Sequence, residues 1–175
     1  MGQPLIPFQR RAGVDLPSVR EQLERCGAQL VQAAIMADAG ERLRLLGRAG
    51  EAYYLLGDYS VALPLLEEAV RLAQAARDGR LEVANLLRLA TAYQYVEQHH
   101  RAEPLFRRAL ALARTAGQTD LLDFALQHFG KCLVEMGWLA EAITCFGEAL
   151  ALRRAKSDEG LIASTERALA AVRRR

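Results

Sequence analysis

A chain of 175 residues, 51% hydrophobic and 25% charged, has the composition of one ordinary globular domain or one continuous array. A net charge of +2 is too small to imply a nucleic-acid partner, and no run approaches the ~20 apolar residues that a membrane span requires. Cys26, Cys132 and Cys145 are an odd number without C-x-x-C spacing, which supports neither a disulfide framework nor a zinc site. A reducing cytoplasm of bacterial type is the expected compartment.

The first residues carry one short apolar patch, Leu5-Ile6-Pro7-Phe8, well below the length of a signal-peptide core, so 1–14 read as a tail. A single folded domain is expected over 15–175. Its first helix is placed at 18–37, opened by the capping-box pattern Ser18-Val19-Arg20-Glu21. Six helices follow at 41–56, 59–77, 81–97, 99–116, 120–136 and 138–156, and a last one at 159–173. Gly-Asp and related pairs separate them: Asp38-Ala39-Gly40, Gly57-Asp58, Asp78-Gly79, Gly117-Gln118 and Gly137-Trp138. Within the helices, Leu86, Leu89, Tyr93 and Val96 share one face, as do Ala102, Leu105, Phe106, Ala109 and Leu112. Pro64 and Pro104 fall early in their helices, where few backbone bonds are lost. Strand-length alternation is absent, so the fold class is all-α.

The helices repeat in pairs every forty residues. Small residues recur as Gly50/Ala90/Gly130, Ala62/Ala102/Ala142 and Ala69/Ala109/Ala149. Large ones recur as Leu46/Leu86/Leu126, Leu66/Phe106/Phe146 and Leu72/Leu112/Leu152. A fixed period in this range signals a stacked helical array, with repeats at about 41–80, 81–120 and 121–157. Small residues at a helix crossing let the large side chains of one helix enter the groove of the other. Glycine in a helix interior costs ~1 kcal/mol against alanine, so Gly50 and Gly130 imply a steric need. Cys132 and Cys145 stand where other copies have Ala92 and Leu65, as buried hydrophobes would. The helix over 159–173 is expected to cap the array through Leu161, Thr165, Leu169 and Val172.

Leu46-x2-Ala49-Gly50-x2-Tyr53, followed by Gly57-Asp58-Tyr59, Ala62, Leu66 and Ala69, resembles the tetratricopeptide repeat (TPR) pattern. The later copies match through Leu86/Leu89/Ala90/Tyr93 and Leu126/Phe129/Gly130/Leu133. The period of forty and the missing closing proline resemble the long repeats of kinesin light chains and of bacterial regulatory arrays. The resemblance implies a right-handed α-solenoid of about eight helices, three full repeats with a flanking helix at each end. It also implies a non-catalytic scaffold that binds a peptide or helix of a partner protein. The alternative is a homo-oligomerisation or spacer module of a larger bacterial regulator.

By the same resemblance, the first helix of each hairpin lines a concave groove. The first copy would place there Arg44, Arg48, Glu51 and Tyr54, the second Leu87, Arg88, Thr91, Gln94 and Tyr95, and the third Phe124, His128 and Lys131. A row of Arg44, Arg48, Arg88, His128 and Lys131 beside aromatic residues suggests an apolar segment with an acidic flank, because arginine grips carboxylates. The chaperone-type carboxylate clamp is not matched, since its positions hold Gly47, Glu51, Arg88, Phe124 and His128. No hydrolase, phosphate-loop or zinc-protease motif occurs. His99-His100 reads as a solvated turn, and Trp138 as a part-exposed turn residue. No enzyme activity, cofactor, metal, nucleic acid or membrane partner is expected.

Overall fold

A computed structural model describes residues 14–36 and 38–174; the expected tail over 1–14 lies outside them except for Val14. Eight helices follow one another among the described residues, with no strand. They are α1 (Leu16–Ile35), α2 (Ala39–Leu56), α3 (Tyr59–Ala75), α4 (Gly79–Tyr95), α5 (His99–Thr115), α6 (Thr119–Glu135), α7 (Leu139–Ala155) and α8 (Glu159–Arg173). The all-α expectation holds. The first helix starts earlier than its capping-box pattern suggests. Asp15 accepts the first helical bond from Val19 at 3.0 Å, so Ser18 lies inside the helix. Pro17 is accommodated because first-turn amides have no intrahelical partner anyway.

Every turn from α2 onward is built the same way. A left-handed residue closes each helix at 57, 77, 97, 117, 137 and 157, a step of twenty. The next residue then donates back five positions: Asp58 to the Tyr53 carbonyl at 2.9 Å, Gln98 to Tyr93 at 2.9 Å, Trp138 to Leu133 at 2.8 Å. This is the Schellman closure, which satisfies the last carbonyls of a helix. Glycine fills it at Gly57, Gly117 and Gly137, but Arg77, Glu97 and Ser157 occupy the others at φ of 53°, 61° and 56°. The half-period is therefore structural even where the sequence lacks its glycine. At the starts of α2, α4 and α8, Asp38, Asp78 and Asp158 accept from the amides of Glu41, Leu81 and Leu161 at 2.8–3.0 Å. Gln118, at the matching place before α6, makes no such bond.

Consecutive helices pack as antiparallel neighbours, and α2 touches α4, α4 touches α6, and α6 touches α8. The backbones of the alternate helices α3, α5 and α7 stay apart, and only side chains span between them. The array therefore bends with the even-numbered helices inside. Long arginines bridge the splayed outer helices: Arg101 reaches Glu67, Arg107 reaches Glu141 at 2.7 Å, and Arg114 reaches Glu148 at 2.6 Å. Each exposed pair contributes at most ~1 kcal/mol, and their common spacing of 34 residues ties the second helix of one hairpin to that of the next.

The glycines sit where the sequence argument needs them. A Cβ on Gly50 would fall 2.6 Å from Leu66 Cγ, and one on Gly130 would fall 2.7 Å from Phe146 Cε1. Leu66, Phe106 and Phe146 are fully buried, and the main apolar core runs without a break from α2 to α8. Cys132 and Cys145 join it as free thiols. Burial pushes the Cys145 thiol up to about 11, so it stays protonated and unreactive.

The ends differ from the middle. The backbone of α1 comes close to that of α2 alone. On α8, Thr165, Ala168, Leu169 and Val172 are buried and Leu161 partly so, which places the expected apolar face against the array. Gln22 and Gln29 on α1 match Ala62 and Ala69, and Glu166 and Arg173 on α8 match Leu126 and Leu133. Polar residues replace the hairpin-core positions at both ends, as terminal repeats of a solenoid require.

Candidate functional site

The inner face is assembled from residues recurring at offsets 44, 48, 51 and 54 of the repeat, carried by α2, α4 and α6. An open hollow of about 160 Å³ lies at its centre, with Tyr54, Leu87, Phe124 and His128 in its lining beside Glu51 and Arg88. Tyr54 and Leu87 are buried in its floor, whereas the Phe124 ring is 42% exposed. Tyr54 meets Tyr95 edge-on at 5.4 Å between ring centres, which fixes the orientation of both rings. Thr91 also lines the hollow, but its hydroxyl is spent on the Leu87 carbonyl at 2.8 Å. Gln94 is buried and is not part of the lining.

The expected basic row carries less free charge than the sequence suggests. Arg88 Nε donates to Glu51 at 2.8 Å, and Arg44 Nε donates to Glu41 at 2.9 Å. Burial first, and then the charges of Lys131 and Arg153, pushes the His128 imidazole down to about 3, so it is neutral at pH 7. Burial and Arg153 also lower the pKa of Lys131, and Glu135 partly offsets them. Among the described residues, Arg48 and Lys131 are the charged members of the row without an ion pair within 4 Å, His128 being neutral. Arg48 is exposed, and Lys131 is half-buried.

Beside this face lies a charged cluster that sequence reasoning missed. Arg153 on α7 is 2% exposed; its Nε donates to Asp123 at 3.0 Å and its Nη1 to Thr165 at 2.7 Å. Lys156 Nζ reaches the other oxygen of Asp123 at 2.6 Å. The Arg153 guanidinium also lies 5.6 Å from the centre of the Phe124 ring. The signal was present: Asp123 and Arg153 stand where the second copy has Val83 and Ala113. Two charges replacing two apolar residues in register imply a pair.

His99-His100 is a correction. Both residues open α5, where a helix over 99–116 is expected, but His99 is not solvated: its Nε2 lies 2.8 Å from the buried side chain of Glu135. A step of 36 residues separates that pair, beyond local sequence reading. Among the described residues no group of three His, Cys, Asp or Glu side chains is placed to hold a metal ion. No helix there is long and apolar enough to cross a membrane.

Comparison with known proteins settles the family. Tetratricopeptide repeat family profiles match residues 82–155 and 42–76. The chain belongs to the tetratricopeptide repeat family. Among solved structures, BtubC (BKLC) from P. vanneervenii superposes with a TM-score of 0.70 at 18% identity, covering 94% of this chain and 66% of that one. A kinesin-light-chain-like protein of Podosopora anserina with nearly identical TPR-like repeats gives 0.70 at 18% identity, covering 98% of this chain and 87% of that one. A single-substitution variant of it gives 0.72. At such identity the likeness concerns the fold, an all-α TPR solenoid. No curated protein matches the sequence. TPR arrays are protein-interaction scaffolds.

Proposed function

We propose that this TPR chain is a non-catalytic recognition scaffold that holds a segment of a partner protein against its inner face. The observation that carries the reading is the central hollow, where an exposed phenylalanine, Phe124, stands over a floor of Tyr54 and Leu87. Aromatic side chains at the centre of a concave surface are the usual anchors of an interface. Rigid helices on both sides hold them in place, so little ordering cost falls on binding. The favoured partner is an apolar peptide or helix with an acidic flank. Arg48 and Lys131 supply charge for that flank, while Glu51 and Glu41 disfavour the phosphate backbone of a nucleic acid. No cofactor takes part. The three buried free thiols suit a reducing compartment, and the cytoplasm is the favoured location. Homo-oligomerisation through the ends is the weaker reading, because Gln22, Gln29, Glu166 and Arg173 occupy the positions that elsewhere pack apolar.

The test uses Phe124→Glu, which alters an exposed side chain and should leave the fold intact. Proteins captured from native lysate by the unaltered chain are compared with those captured by the variant, with thermal melts of both. Partners kept by the first and lost by the second at unchanged melting temperature support the groove. Equal capture by both sinks it.

A further inference from the structure

A second hollow, about 610 Å³ in volume, opens between α7 and α8 and shares no lining residue with the one on the inner face. Leu150, Leu169 and Ala170 form its apolar floor, and the exposed Arg154, Arg173 and Arg174 form its rim. The repeat explains its shape. The helix α8 is in register with α2, α4 and α6, the first helices of the three hairpins, and no second helix follows it among the described residues. Ala170 stands where the earlier copies have Gly50, Ala90 and Gly130. There the small residue makes room for a large side chain of the next helix, Leu66 against Gly50 and Phe146 against Gly130. The face of α8 carrying Glu166, Ala170 and Arg173 is therefore the one that a hairpin partner would cover. The floor is left open accordingly: Leu110 is buried, whereas Leu150, its counterpart one repeat later, is only half-buried.

The charges at the rim specify what fits. Arg154 engages Glu166 at 2.8 Å, as an exposed pair. Among the described residues, Arg173 and Arg174 have no carboxylate within 4 Å. Both lie at the C-terminal end of α8, so a helix packed antiparallel to α8 brings its own N-terminus beside them. A helix N-terminus favours acidic side chains through its unpaired amides and its dipole, and arginine binds carboxylates in two-point contacts. The rim and the polarity of such a helix thus select the same feature, an acidic first turn.

We propose that this hollow docks an amphipathic helix of a partner protein, held antiparallel to α8, with an acidic residue in its first turn and a large apolar residue four positions later. The inference is independent of the groove reading. On an antiparallel neighbour, the side chain beside Arg173 and the one over Ala170 are a turn apart, which is the four-residue step. One further turn along, the helix meets Glu166, where a small neutral residue fits. A second copy of this chain does not carry the pattern. Its α1, in register with α3, has Gln22 at the acidic place and Cys26 at the apolar one, and Cys26 is fully buried against α2.

The probe is an acetylated, amidated helical peptide of about 16 residues on an alanine-glutamine background. It carries Asp-Glu in its first turn and Phe four residues after the glutamate; matched peptides replace both acids by lysine, or the Phe by alanine. Fluorescence anisotropy should show binding at least fivefold tighter than that of either matched peptide. Ala170→Leu fills the space that the Phe would enter, and Arg173→Glu with Arg174→Glu reverses the rim. Each should weaken the acidic peptide at least fivefold, and the charge-reversed chain should come to prefer the lysine peptide. Thermal melts check both folds; if Ala170→Leu melts early, the charge swap alone decides. Phe124→Glu should leave binding unchanged. A peptide that fails to bind, or whose binding neither end-face change alters, overturns the proposal. Loss of binding on Phe124→Glu would put the peptide in the inner groove and overturn it as well. So would a dimer of the unaltered chain, seen by sedimentation and dissolved by Ala170→Leu, since a second copy would then be the occupant.

Discussion

Arg153 and Asp123 meet in the interior with Nε 3.0 Å from Oδ2, at the register positions held by Ala113 and Val83 one repeat earlier. The pair belongs to the junction between the last full hairpin and α8, because Arg153 also donates to Thr165 and to the Leu161 carbonyl. A buried pair is a mixed asset: removing one member strands a charge, whereas replacing both by apolar residues can be neutral. Arg153→Ala alone should cost ~3–5 kcal/mol. The double change Asp123→Val with Arg153→Ala, which copies the second repeat, should recover most of that loss. Urea midpoints of the three chains decide it; a double variant as unstable as the single would show that the pair itself holds α8.

Gln127 offers the opposite experiment. Its side chain is 3% exposed, and neither amide atom has a hydrogen-bond partner. A buried polar group left unpaired costs ~1–3 kcal/mol. The second repeat carries Leu87 at this position, so the array already contains the remedy. Gln127→Leu is expected to raise the stability by about 1 kcal/mol or more, read as a higher urea midpoint at unchanged slope. A lower midpoint would mean that the amide is bonded in solution, through a water or a moved side chain.

The turns should respond with opposite signs. Glu97 holds a left-handed conformation at φ of 61°, and Gly137 holds the equivalent place one repeat later at φ of 81° with open space around it. Left-handed backbone costs a residue with a side chain roughly 1–2 kcal/mol, and glycine escapes that cost. Glu97→Gly should stabilise the chain and Gly137→Ala destabilise it, each by ~1 kcal/mol. Melting curves that move in the same direction would show that side-chain contacts, not backbone conformation, govern these turns.

Acid should weaken the array before its carboxylates titrate. The His128 imidazole is pushed down to about 3 in the folded chain, against 6.5 for the unperturbed group. A base whose folded pKa is depressed binds fewer protons in the native state, so stability rises with pH across that interval. The contribution is complete above pH ~6.5 and is lost progressively as the pH falls toward 3. His128→Gln removes this term. Between pH 7 and 5 the unaltered chain should lose more stability than the variant, and parallel curves for the two would contradict the burial of His128.

Much of this molecule is legible in its sequence because a repeat is a local statement made three times. The spacing of Leu86, Leu89 and Tyr93 dictates a helix face, and the step from Gly50 to Gly130 marks where helices cross closest. The resemblance to TPR arrays, carried along that step, named the inner residues, and the fold brings Tyr54, Leu87, Phe124 and His128 around one hollow. What the register could not say is how each side chain spends its polar atoms. Arg88 is neutralised by Glu51 from 37 residues away, Thr91 bonds to its own helix, and Gln94 is covered. Periodicity assigns a face to a residue, since that depends on backbone geometry alone. Charge pairing and exposure depend on which rotamers meet across two helices, and only tertiary packing decides that. Lys131 therefore differs from Arg48 in burial, although the sequence places both in one basic row.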